Sequence, residues 1–194
     1  MESVNYIARS LDDVKKVIEA CHKTGYCSFD YETNARPLYV NDFAPTLLSI
    51  TFWPGSSVGI PLEHFQRDHY TDGFDWGKAL ELVGNDVFKD LGITKMAWNM
   101  KFDDQINRKY GIQCKGTCLD GMLAKYLLDE EKPNDLKSMV RKYLPDFADY
   151  EKENDIDKLD WDKKPLVPLA KYAGLDTDCT FRLTIFFGTG SMSS

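Results

Sequence analysis

The sequence predicts a mixed α/β fold, a sheet flanked by helices, and three observations carry that expectation. Alternating apolar and polar residues come early, over Tyr26 to Glu32, Leu48 to Phe52 and Ser57 to Leu62. Helix-period apolar faces dominate after residue 103, and a βαβ-like passage joins the two regions. The 194 residues fit one domain that buries a core without disulfide staples.

Each element has its own signature. Ser10, followed by Asp12 and Asp13, with Leu11, Val14, Val17, Ile18 and Cys21 on one face, predicts a capped helix that Gly25 stops. From Tyr26 the period becomes two: Cys27, Phe29 and Tyr31 share one face of a strand, and Ser28, Asp30 and Glu32 the other. Leu48, Ile50 and Phe52 alternate with Ser49 and Thr51, and Pro54-Gly55 turns the chain into Ser57 to Leu62. These first three strands are therefore expected to form an antiparallel meander. Helical segments follow from Trp76 to Leu91. A short strand, Lys95 to Trp98, then runs into Asn99-Met100-Lys101-Phe102-Asp103 and a helix over Asp104 to Tyr110. Asp120 opens a helix expected to turn Met122, Leu123, Tyr126 and Leu127 inward. Asn134 opens another (Leu136, Met139, Val140, Tyr143), and Pro165 starts the last, towards Phe187. Residues 1–187 read as a single domain and 188–194 as a flexible Gly/Ser tail.

Composition excludes several classes. A net charge of -7 with 43% hydrophobic residues rules out a disordered tail, a collagen-like fibre and a basic nucleic-acid arm. The cysteines, Cys21, Cys27, Cys114, Cys118 and Cys179, are odd in number, and no second Cys or His pair completes a zinc site beside Cys114 and Cys118. That usage fits a reducing, cytoplasmic setting. Met1 to Leu11 lacks the apolar core of a signal peptide, no run reaches membrane-spanning length, and no membrane contact is expected. Taken alone, the negative charge points away from nucleic acid.

The acids carry the chemistry. Asp30 and Glu32, two apart on a strand, emerge on one face, where neighbouring carboxylates repel unless a cation neutralises them; a solvated strand end is the plain alternative. Asp103 lies at a helix start, where an acid also suits the helix dipole. Asp176 stands four residues after Tyr172 and four before Thr180, on one side of a helix whose Leu169, Ala170, Ala173 and Phe181 face a core. The combination is more specific than any part of it. Phe29-Asp30-Tyr31-Glu32-Thr33, Asn99-Met100-Lys101-Phe102-Asp103 and Tyr172-Ala173-Gly174-Leu175-Asp176-Thr177-Asp178-Cys179-Thr180 fall in order. Together they resemble the three motifs of the DEDDy 3′-5′ exonucleases, and within them the proofreading domain of family A DNA polymerases. Asp120 to Leu128 and Asp135 to Leu144 resemble the family's connecting helices, so the likeness spans the chain up to Phe187.

The resemblance implies a ribonuclease H-like (DnaQ-like) fold and a metal-dependent exonuclease. It would release nucleoside monophosphates from single-stranded or frayed DNA 3′ ends, in proofreading, DNA replication and repair. Asp30, Glu32, Asp103 and Asp176 are then expected to hold two divalent ions, Mg²⁺ or Mn²⁺, with Asp30 as the bridge. Hard oxygen donors suit these ions, and a pair about 3.5–4 Å apart can bind both the attacking and the leaving oxygen of an in-line displacement. Tyr172 is expected to orient the attacking water, since a phenol with a pKa near 10 is a poor base at neutral pH. Thr33, Asn99, Lys101 and Phe102 match positions near the 3′-terminal nucleotides, although Phe102 with Ile106 also suits the inward face of a helix. Arg141 and Lys142 lie where the family carries a basic residue, but two adjacent cations on a helix are more often a solvated face. After Thr33 the family's glycine and leucine are replaced by Asn34-Ala35-Arg36-Pro37-Leu38, which leaves Leu38 without an assigned role.

Other residues stay outside the motifs. His22, His64 and His69 fall in none of them, and Trp53, Trp76, Trp98 and Trp161 read as core or anchoring rings. The resemblance implies a monomer from a bacterium or phage, either free-standing or joined to a polymerase domain in cis or in trans. Two alternatives remain: a 3′-5′ RNA exonuclease of ribonuclease D type, and a non-catalytic module that binds nucleic-acid ends. The charge divides unevenly, because residues 146–162 carry eight acids against two lysines, a local -6 that leaves the rest at -1. With little basic surface, weak DNA binding with a modest salt dependence is expected.

Overall fold

The structure, a computed structural model, describes residues 4–131, 133–148 and 163–188. Trp161, most of the acidic stretch and the Gly/Ser tail from residue 189 lie outside the described residues. Six strands form one sheet in the order β1-β4-β3-β2-β5-β6. They are β1 (Val4–Ile7), β2 (Tyr26–Thr33), β3 (Pro45–Trp53), β4 (Ser56–Pro61), β5 (Thr94–Ala97) and β6 (Cys118–Asp120). β2, β3 and β4 make the expected antiparallel meander. The pairs β1–β4, β2–β5 and β5–β6 are parallel, which makes the sheet mixed. β1 and β6 are additions to the expected sheet: four and three residues long, they are too short to show a period and exist through their neighbours.

Seven α-helices of the described residues flank the sheet: α1 (Leu11–Thr24), α2 (Arg67–Tyr70), α3 (Trp76–Val83), α4 (Met100–Lys109), α5 (Gly121–Leu128), α6 (Leu136–Tyr143) and α7 (Leu166–Gly188). None is long and apolar enough to cross a membrane. α1 begins and ends as its sequence predicts: the Ser10 side chain accepts from the Asp13 amide, and Gly25, at φ 73°, donates back to the Cys21 carbonyl. α4 starts at Met100, four residues earlier than expected, which places Asp103 inside its first turn. α6 is capped by Asp135, one residue after the expected Asn134.

The two faces of the sheet differ. On one, Cys27, Phe29, Tyr31, Leu48, Ile50 and Ile60 pack with Val14, Val17, Ile18 and Cys21 of α1 and with Ala79, Leu80, Val83 and Phe88 of the α3 region. Burial of this apolar surface is the main drive for folding. On the other face α7 lies across β2, β3 and β4. Gly59 permits the close approach, since a Cβ there would sit 3.1 Å from the Cβ of Ala170. Thr177 of α7 bonds to Ser49 (3.0 Å) and Thr51 (2.9 Å), Thr51 bonds to Ser57 (2.8 Å), and Ser57 donates to the Gly174 carbonyl (2.8 Å). Asp178, fully buried, accepts from the Gly55 amide in the β3–β4 turn and pairs with Arg182. These bonds fix the rotation of α7 about its axis.

Two expectations need correction. Leu123, Tyr126 and Leu127 of α5 are exposed, not inward. α5 meets α7 at Gly121, where a Cβ would lie 2.6 Å from both Thr184 and Trp98; Ala124 packs on the cluster that holds Met139, Leu183 and Phe187, and the buried Lys125 donates to the Asp129 and Glu131 carbonyls. Small residues make the contact, and apolar periodicity registers them poorly. Trp53 is likewise 60% exposed at the end of β3, so it is not a core ring.

Candidate active site

β2 presents Asp30 and Glu32 beneath α7. Asp30 lies opposite Ser49, so the register puts it on the polar face. Tyr31 between them points into the apolar face and still organises the site. Its backbone amide donates to Asp103 Oδ1 (3.1 Å), and its buried hydroxyl donates to Asn107 Oδ1 (2.7 Å). Asp103 and Asn107 are one turn apart on α4, so a single residue of β2 sets both the height and the rotation of that helix. β2 pairs with β5 only as far as Ser28, which leaves the Tyr31 amide open for this bond.

The entry to α4 is held from the far side. Asn99 adopts a left-handed conformation, φ 61°. Its amide and that of Met100 donate to the Asp120 carboxylate (3.1 and 2.9 Å), which also accepts from Met122 (2.9 Å) and Leu123 (3.3 Å) at the start of α5. Trp98 donates through Nε1 to the Asn134 carbonyl (3.0 Å), tying the same segment to the start of α6.

α7 brings Tyr172, Asp176 and Thr180 to its buried side. Its start is pinned by two residues of the polar stretch after β4. His64 Nε2 donates to the Lys164 carbonyl (2.9 Å), its Nδ1 accepts from the Gln66 amide (3.0 Å), and the Gln66 side chain accepts from the Leu166 amide (2.8 Å).

The acids share one electrostatic environment. Desolvation first, then repulsion by Asp176, pushes Asp30 up to about 7. Glu32 is raised well above the carboxylate range by burial, then by Asp30 and Asp176, and Asp103 by burial and then Asp30, against the opposing Tyr31 amide. The Tyr172 phenol is pushed far up by burial, by Asp176 and Glu32, and by its hydrogen bond to Asp176, so it stays protonated. A cation stands among them. Lys137 of α6 places its Nζ 2.5 Å from Asp176 Oδ1 and 4.3 Å from the centre of the Tyr172 ring. Among the described residues no three His, Cys, Asp or Glu side chains are closed around one point as an ion would draw them. The donor set nevertheless fits a divalent ion in kind: hard carboxylate oxygens that repel one another, buried in Glu32, Asp103 and Asp176 and half-buried in Asp30.

The expected substrate contacts divide. Asn99, Lys101 and Phe102 are exposed around the start of α4, and Thr33 is half-buried at the end of β2. Phe102, 43% exposed, is not part of an inward face with the fully buried Ile106. Leu38 packs against the main core, and Arg141 and Lys142 are exposed. Tyr31 and Lys137 are missing from the sequence-based set. An Asp103/Asn107 spacing of four was the only trace of the first, and nothing in the motifs marks the second.

Comparison with known proteins follows the same outline. DNA polymerase I of Synechocystis sp. is 30% identical over 135 residues, which cover 67% of this chain and 13% of that protein. Among solved structures, the Aedes aegypti Nibbler EXO domain superposes with a TM-score of 0.70 at 16% identity, covering 99% of this chain and 92% of its own. Escherichia coli RNase D, described as an exoribonuclease involved in structured RNA processing, gives 0.69 at 18% identity over 97% of this chain and 45% of its own. Brucella melitensis NrnC with bound Mg²⁺ gives 0.65 at 18% identity over 97% and 81%. At such identities these structures share the ribonuclease H-like fold. A family model described as a 3'-5' exonuclease matches residues 6–189, so this chain belongs to the 3'-5' exonuclease family typified by family A DNA polymerases.

Proposed function

We propose that residues 1–187 act as one metal-dependent 3′-5′ exodeoxyribonuclease domain that shortens single-stranded or frayed DNA ends, in proofreading beside a polymerase domain. The observation that carries this reading is the bond that ties Asp103 of α4 to the β2 backbone between Asp30 and Glu32, with Asp176 and Tyr172 of α7 within electrostatic reach of those two acids. The relation to a DNA polymerase I supports DNA over RNA, and the Mg²⁺ of NrnC supports a divalent cofactor.

Asp30, Glu32, Asp103 and Asp176 would hold Mg²⁺ or Mn²⁺, which supplies charge neutralisation at the phosphate and activation of the attacking water. Tyr172, held protonated, donates a hydrogen bond and positions that water; it does not remove the proton. Thr33, Asn99, Lys101 and Phe102 would meet the terminal nucleotides, the amide by hydrogen bonding, the ammonium by charge and the ring by stacking. Tyr31 acts through Asp103, which it holds in place.

The test is shortening of matched 5′-labelled DNA and RNA oligonucleotides with Mg²⁺, with Mn²⁺ and with chelator. DNA is expected to lose 3′ nucleotides only with metal, Asp103→Ala to be inactive, and Tyr172→Phe to fall by about 100-fold. Faster shortening of RNA would transfer the assignment to a ribonuclease D-type activity. Equal activity in Asp103→Ala would refute the site.

A further inference from the structure

Lys137 enters the acid cluster from outside the elements that build it. Its side chain is 16% exposed, its Nζ lies 2.5 Å from Asp176 Oδ1, and its ammonium stands over the Tyr172 ring at 4.3 Å. Its charge also reaches across to β2, where it opposes the upward shift of Asp30 and of Glu32. The platform is firm. Asp135 caps α6 by accepting from the Ser138 amide (2.9 Å), and Met139 and Val140 pack in the cluster that contains Tyr172, Leu175 and Cys179. A buried ammonium needs a close counter-charge, and Asp176 with an aromatic face provides both.

The same carboxylate cannot serve an ammonium and a divalent ion equally. Both are positive, and repulsion between them in a poorly solvated site is strong. A lysine suits an exchange of this kind, because its point charge rides on a flexible four-carbon stem that can swing aside. We propose that Lys137 is a resident counter-cation: it neutralises Asp176 in the metal-free protein and yields that carboxylate when a divalent ion binds. This rests on the metal-dependent reading above. Ion binding then becomes a cation exchange, so Lys137 both protects the empty fold from its own acids and weakens the apparent affinity for metal.

The test compares the wild type with Lys137→Met, which keeps the stem and removes the charge, and with Lys137→Arg, which keeps the charge. Thermal unfolding is followed in chelator and in saturating Mn²⁺, and Mn²⁺ binding is measured by calorimetry. In Lys137→Met the Tm in chelator is expected to fall by roughly 3 °C or more, the Tm in Mn²⁺ to match the wild type, and Mn²⁺ to bind about tenfold tighter or better. Lys137→Arg, which keeps the charge in a fork that grips a carboxylate more firmly, should bind Mn²⁺ no more tightly than the wild type. A purely structural lysine would lower both Tm values equally and leave the affinity unchanged, which would overturn the proposal while the metal-dependent function stands. Tighter binding in Lys137→Arg would overturn it too. Absence of Mn²⁺ binding in all three proteins would remove the metal-dependent reading and this proposal with it.

Discussion

The two faces of β2 both lie under helices and are opposite in kind. Cys27, Phe29 and Tyr31 lie in a continuous apolar cluster with α1 and the α3 region. Ser28 and Glu32, on the other face, are buried as well, and Asp30 between them is half-buried. Under α7 the hydroxyls of Ser49, Thr51, Ser57 and Thr177 satisfy one another. The carboxylates Asp30, Glu32 and Asp103 instead crowd together and are driven towards protonation. Burial by itself therefore says little about the role of a residue in this sheet. The first face makes the fold stable; the second, unfavourable without a cation, is where the proposed chemistry takes place.

Substitutions at neighbouring positions should separate the faces. The largest contrast is at Asp30. Asp30→Asn is expected to lower nuclease activity to background, a loss of about 100-fold or more. It should also raise the Tm in chelator. With its folded value near 7 and an unfolded value of 3.8, this acid takes stability from the fold as pH rises through that window, and the amide does not titrate. A lower Tm for this variant at pH 8 would contradict the account of the second face. Phe29→Ala should do the reverse in character, costing about 3–5 kcal/mol in urea unfolding through the cavity left in the core.

Smaller effects come from the polar seam itself. Thr177→Val removes the hydroxyl shared by Ser49 and Thr51 and should cost about 1–3 kcal/mol, with a larger fractional loss of activity than an equally destabilising core substitution. Identical activity per folded molecule would show that α7 keeps its rotation without the seam. The smallest effect belongs to His64. Burial lowers its pKa, so the fold favours the neutral ring; that contribution is present above 6.5 and lost as pH falls through the folded value. The wild-type Tm should therefore drop between pH 7 and 5 by roughly 2 °C more than that of His64→Gln. Parallel pH profiles would remove the clamp on α7 from the account.

Much of this was legible in the chain because it is local. Ser10 and Gly25 bound α1, alternation separates Phe29 from Asp30, and a spacing of four aligns Tyr172 with Asp176. What escaped depends on contacts between distant residues. His64 carries no motif and becomes an anchor only when Lys164 folds back onto it, and Lys137 becomes part of the cluster only through Asp176. Tyr31 looked like one more apolar residue of β2, yet its amide and hydroxyl engage α4 separately. In α5 the pattern misled, since Gly121 and Ala124 make the contact that Leu123 and Leu127 advertised.

Asp120 has a consequence for recombining this domain with its relatives. One carboxylate joins the amides of Asn99 and Met100 to those of Met122 and Leu123, so the segments on either side of residues 101–119 behave as a single inherited unit. A hybrid gene with its crossover inside that interval would take the left-handed Asn99 from one parent and the group that holds it from another. Crossovers on either side of that unit keep the pair together, and functional hybrids should concentrate there.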